Sequence, residues 1–106
     1  MDNARLRLIN LEVLVMCFVY DAARVLQFLD SLNYTDSVMT VLLQNTYLFK
    51  ADFEKQRLMF GLIKFLEGTE KLNAASPSLK YAQSIVKYMV QLAVEIVKLR
   101  MEDGKS

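Results

Sequence analysis

FEKQRLMFGLIKFLEG, residues Phe53 to Gly68, opens on charged and amide side chains, turns apolar, and holds a glycine in the middle of its apolar run. A glycine inside a helix costs ~1 kcal/mol relative to alanine, so Gly61 has to be useful or outweighed by packing. Arg57, Gly61, Lys64 and Glu67 follow steps of three and four, which puts the glycine in the polar stripe of an expected helix and leaves no hole in its core. A missing side chain there lets another helix approach closely. A tolerated surface glycine is the alternative. Asp52 is expected to cap this helix, and Gly68 to stop it in a left-handed turn.

Working outward, the chain of 106 residues contains one proline and three glycines. Gly68 and Gly104 stand where helices are expected to end, so the sequence reads as all-α. About five helices are expected within a single helical domain, residues 1–106. The first spans about Ala4 to Tyr20. Asp21 then caps a second helix whose stripe is Ala22, Val25, Leu26, Leu29 and Leu32. SLNY makes a turn, and Thr35 or Asp36 caps a third helix with Val38, Val41, Leu42, Thr46 and Phe49 inward. The helix of the quoted stretch is the fourth. After a polar linker at about 69–76, Ser76 and Pro77 start a long C-terminal helix over 77–102.

Two helices look unusual for a surface position. Val13 to Tyr20 has no strongly polar side chain on any face, the pattern of a helix enclosed by others. In the last helix one polar line, Lys80, Ser84, Lys87, Gln91, Glu95, Lys98 and Glu102, is set against a very wide apolar face, so neighbours are expected on more than one side. The aromatic residues are read as core, with no ligand pocket assigned to them.

The composition narrows the function. Thirteen Lys and Arg against twelve Asp and Glu give a net charge of +1, and no basic run offers an electrostatic footprint for nucleic acid. There is no histidine, so the commonest general base and metal ligand are missing. The single cysteine, Cys17, sits in VLVMCFVY and is expected to be a buried, inert thiol. Asp52 with Glu54, and Glu102 with Asp103, are paired carboxylates, but helix capping, the helix dipole and a fraying tail account for them. No phosphate loop, nucleophile elbow or metal-ligand spacing occurs. No catalytic, cofactor-binding or metal-binding residue is therefore expected, and no enzymatic activity.

No membrane span is expected, because the longest charge-free run, Ser37 to Phe49, is shorter than the ~18 to 20 apolar residues required. Arg5 and Arg7 ahead of Val13 to Tyr20 loosely imitate an export signal, but Asp2, Glu12 and the bulky Met16 break the pattern. With one cysteine, a reducing compartment fits best.

Antiparallel helix pairs with wide two-sided apolar surfaces are the sequence pattern of a HEAT-type α-solenoid. LRLINLEVLVMCFVYDAARVLQFLDSL followed by LLQNTYLFKADFEKQRLMFGLIKFL resembles the C-terminal HEAT repeats of the importin-beta (karyopherin) superfamily, in particular the subgroup of importins seven and eight. The matching features are Leu6 and Arg7, the aromatic-bearing stretch Val19 to Leu32, and the charged start Glu54 to Arg57 leading to Gly61 and Leu62. The resemblance covers about Ala4 to Leu66, with two HEAT-like helix pairs over 4–67. It implies a non-enzymatic, protein-binding carrier in nucleocytoplasmic transport, cytoplasmic and nuclear. Its partner would be a cargo protein or neighbouring HEAT repeats, with the Ran GTPase a partner only of a full-length receptor. No individual binding residue carries over. From the residues alone, the alternative is a small free-standing helical bundle that self-associates through its first and last helices as a structural or regulatory protein.

Overall fold

The computed structural model describes residues 3–103, all in helices and the turns between them. The expected helix stop at Gly104 lies outside these residues, as does Asp2. There are four α-helices, α1 (Asn3–Ser31), α2 (Thr35–Gln44), α3 (Asp52–Thr69) and α4 (Ala82–Asp103). Short 3-10 turns precede α3, at Thr46–Leu48, and α4, at Pro77–Tyr81.

Five helices were expected, and the difference lies at Asp21. The first two run on as one 29-residue element whose backbone leaves helical geometry at Asp21 (φ −163°, ψ 82°). Asp21 Oδ1 accepts from the backbone N–H of Arg24 at 3.2 Å, so it caps the second half of α1 without any intervening loop. α1 ends at the SLNY turn. Asn33 takes the left-handed conformation (φ 60°), its N–H bonds the carbonyl of Asp30, and that of Tyr34 bonds Leu29. This paired arrangement satisfies carbonyls that a helix end otherwise leaves open.

The core is built on α1 and α3. Leu11, Val15, Phe18 and Ala22 recur at steps of four and three, and all are buried against Leu58, Leu62 and Phe65. Phe18 and Phe65 meet edge to face, with ring centroids 5.6 Å apart. A Cβ built on Gly61 would lie 2.6 Å from Val15 Cγ1, and one on Gly68 would lie 2.9 Å from both Ala22 Cβ and the Ala23 nitrogen. Val15 and Ala22 are seven residues apart, as are Gly61 and Gly68, so α1 and α3 run parallel. The polar-stripe position expected for Gly61 is therefore corrected. It sits on the edge between the apolar face and the line of Arg57 and Lys64, and α1 seats over that edge because no side chain stands there. Gly68 is corrected too. No described glycine has positive φ, and Gly68 is a buried residue inside α3, where it contacts α1 instead of ending the helix.

α4 covers the other side of α3 and runs antiparallel to it. Lys55 Nζ bonds Glu95 Oε2 at 2.8 Å, and Arg100 Nε lies 4.0 Å from Asp52 Oδ2. α2 returns along α1, since Thr35 at its start bonds Asp30 and Asn45 at its end accepts from Arg7. Its buried face is Thr35, Met39 and Leu42. Of the residues expected inward, Val41 is exposed and Val38 only half-buried, because α2 turns toward the end of α1 and the 3-10 turn Pro77–Tyr81. Asp52 does not cap α3. Ala51 holds the N-cap position in extended geometry, and Glu54 Oε1 accepts from the backbone N–H groups of Ala51 (2.9 Å) and Lys50 (3.2 Å). At the start of the last helix, Ser76 Oγ accepts from Ser78 N–H as a cap, and the first turn is 3-10 before α4 begins.

The molecule is a slab of 50 × 33 × 21 Å, about two helix diameters thick. Its accessible surface of 6996 Å² exceeds the ~6,100 Å² that its mass predicts for a rounded monomer. Gly68→Ala should destabilise the fold by ~1–3 kcal/mol, because its methyl meets backbone and overpacking outweighs the helix-propensity gain. Gly61→Ala should cost less and be relieved by Val15→Ala, since its main clash is with one side-chain methyl. A double-mutant cycle in urea reads both.

Candidate functional site

Two places gather side chains in a way that chemistry or recognition could use. The first is polar. Asp30 near the end of α1 accepts hydrogen bonds from Thr35 Oγ1 (2.5 Å), Ser78 Oγ (2.9 Å) and Ser76 Oγ. Thr35 and Ser78 are buried. Partial burial pushes the Asp30 carboxyl upward, but the bonds from Ser76, Thr35 and Ser78 outweigh it and hold the group below its ordinary value, against a weaker push from Asp36. The carboxylate that these hydroxyls donate to is held low and is too weak a base to activate them. The cluster therefore joins the end of α1, the start of α2 and the start of the last helix. Beside it, Lys80 and Tyr81 bond Asp36 at 2.7 Å and 2.5 Å across the surface.

The second place is apolar and open. On α1, opposite the stripe that meets α3, Leu6, Ile9, Val13, Met16 and Tyr20 recur at alternating steps of three and four, a heptad seam. Val13 is 59% exposed, Met16 54% and Tyr20 93%. A groove of about 500 Å³ runs beside them, walled by Val25 and Phe49, with Glu12 and Arg57 its charged lining residues. A second depression of about 510 Å³ lies on the other side of Met16, between Val19 and the α3 residues Phe53, Gln56, Arg57 and Phe60. The Arg57 guanidinium rests 5.3 Å from the centre of the Phe53 ring. Methionine, aromatic rings and arginine around an apolar centre are what protein interfaces concentrate.

Three sequence expectations are corrected at this face. Val13 to Tyr20 is enclosed on one side only, because four helices offer α1 one long neighbour, α3. Cys17 is exposed in place of buried, since it lies on the flank turned toward the groove. The aromatic residues are not mainly core, as Phe18, Phe49 and Phe65 are fully buried while Tyr20, Phe28, Tyr34, Tyr47, Phe53 and Phe60 are exposed. The signal that would have found the face is the second heptad seam on a helix whose first seam is already used.

Of the paired carboxylates, Asp52 lies near Arg100 and Glu54 caps α3, while Glu102 is exposed and the Asp103 side chain lies outside the described residues. Among the described residues no group of His, Cys, Asp and Glu is placed to hold a metal ion. None of the described helices is long and apolar enough to cross a membrane. No protein-family model matches the chain, and no curated protein and no solved structure matches it.

Asp30→Ala would strand the buried Thr35 and Ser78 hydroxyls and should cost ~2–4 kcal/mol. A carboxylate held below its unfolded value contributes stability that is present above that value and is lost as pH falls through the folded one. The wild-type chain should therefore lose stability below about pH 4, and the variant should show a shallower acid limb. Urea melts across a pH series check both.

Proposed function

We propose that this chain is a non-enzymatic protein-binding helical module whose partner docks on the uncovered seam of α1. The observation that carries this reading is the run Leu6, Ile9, Val13, Met16 and Tyr20, each at least 44% exposed and bordered by an open apolar groove. A monomer leaves apolar surface of this extent uncovered chiefly where something binds. Covering the seam would desolvate Met16 and Arg57, which both grooves share, and so place a methionine and an arginine at the centre of the contact.

The narrower form of the proposal is a HEAT-like segment of a nuclear transport receptor, acting in the cytoplasm and the nucleus on a cargo protein or on neighbouring repeats. Its support is the sequence resemblance over about Ala4 to Leu66; the two helix pairs expected over 4–67 are not formed as such, since the first two helices run on as α1 and the antiparallel neighbour of α3 is α4, outside that range. α2 returns along α1, α4 runs antiparallel to α3, and α1 and α3 lie side by side in parallel. Repeats of this kind bury little alone and are stabilised by stacking.

A photo-activated cross-linker at Met16 in the whole chain, expressed in cells, should capture a defined protein, whereas one at Lys71 should not. Val13→Glu should abolish the capture and leave the melting temperature nearly unchanged, because surface substitutions away from special features stay within ~0.5 kcal/mol. Equal capture from both positions, or capture that survives Val13→Glu, would sink the reading. For the transport form, the captured protein should be a cargo or a repeat protein that moves between nucleus and cytoplasm.

A further inference from the structure

α4 has a second apolar face, separate from the α1 groove. Ile85 and Leu92 seat the helix in the core. Val86, Val90, Val94, Val97 and Met101 form another stripe, each between 48% and 62% exposed. Lys87, Gln91, Lys98 and Glu102 run along one flank of it, all exposed.

We infer that this stripe binds the same stripe of a second copy, the two α4 helices lying antiparallel about a two-fold axis level with residue 95, between Val94 and Val97. In such a pair a helix meets its own flank reversed, so residues whose numbers sum to about 190 come level. Val90 then meets Met101 of the second copy, and Val94 meets Val97. On the flank, Lys87 meets Glu102 and Gln91 meets Lys98. This register joins four of the five stripe residues and also sets Lys87 against Glu102, a pair of opposite charges that the two-fold repeats. A parallel two-fold pair sets this flank against the opposite edge of the other helix, where Lys98 comes near Arg100 and Lys87 meets no carboxylate. Docking of α4 onto the α1 seam of another copy leaves a free seam at each end and grows an open chain, whereas the two-fold pair closes.

The area suits a dimer. The five stripe residues expose on the order of 400–500 Å² per copy, and the flanking side chains bring this toward the ~800 Å² per partner that a stable interface buries. The overlapping turns, residues 87–103 of α4, provide a contact ~25 Å long.

Sedimentation equilibrium of the whole chain should give twice the 12.2 kDa monomer mass at about 100 μM, with Val94→Glu weakening the dimer at least ~100-fold as two carboxylates enter the apolar seam beside the axis. Circular dichroism should show Val94→Glu still folded, since Val94 is half exposed. Lys87→Glu or Glu102→Lys alone should weaken the dimer, and the two together should restore it. In a Cys17→Ser background, Val94→Cys should cross-link on oxidation and Val86→Cys should not. A monomer at every concentration, or a mass rising past two copies, overturns the inference. So does a dimer that Val94→Glu spares and Val13→Glu breaks, or a charge swap that restores nothing. These outcomes leave the α1 groove proposal standing, because its test reads a different face.

Discussion

The close parallel contact between α1 and α3 sets the rest of the architecture. Gly61 and Gly68 remove two side chains at a spacing of two helical turns, and Val15 and Ala22 occupy the space. Phe18 and Phe65 fill the gap between those contacts. Two parallel helices cannot be joined by a tight turn. From the end of α1 the chain must return to the level of Leu6, where α3 begins, a path of up to ~37 Å at 1.5 Å per helical residue. α2, the turn Thr46–Leu48 and the extended Ala51 make that return, and Leu48 and Phe49 pack into the core along the way. The last eight residues of α1 then project beyond α3, and α2 and the start of the final helix gather around them.

That projecting end is where polar contacts take over from apolar ones. Asp30 receives three hydroxyls from two other segments, and Asn33 closes the helix in a left-handed turn one residue before Tyr34. A carboxylate with three donors is costly to bury only if a donor is withdrawn. The cluster therefore holds α1, α2 and the last helix in one relative position. Farther along, Lys55 with Glu95 ties α4 to α3 where Lys55 is mostly buried. α4 is thus fixed at both ends of its contact and cannot turn its second stripe inward.

What was legible in the sequence is what is decided within a few residues. Asp21 as a cap, SLNY as a turn and Ser76 with Pro77 as a start all depend on side chains reaching backbone nearby. Even there, the competition between Asp52 and Glu54 for the start of α3 turned on the extended conformation of Ala51, which the sequence does not display. The roles of Gly61, Gly68 and Cys17 were not legible, because each depends on which helix lies alongside. The same is true of the faces. Val13 to Tyr20 and the α4 valines read as enclosed because an apolar helix surface implies a neighbour. The described residues do not supply that neighbour, and both surfaces are exposed.

A partner on the uncovered face of α1 would couple its binding to folding. α1 uses Leu11, Val15 and Phe18 to meet α3, and the same turns of helix present Ile9, Val13 and Met16 to the outside. A partner on the proposed seam would bind only when α1 is helical, so it would stabilise the folded chain by mass action. With free partner at 100 times its dissociation constant the gain is ~2.7 kcal/mol, comparable to burying one large side chain. The inner contact and the outer one therefore reinforce each other through a single helix. Loosening the glycine contact would then weaken binding of that partner at a distance, and occupying the seam would protect the core behind it.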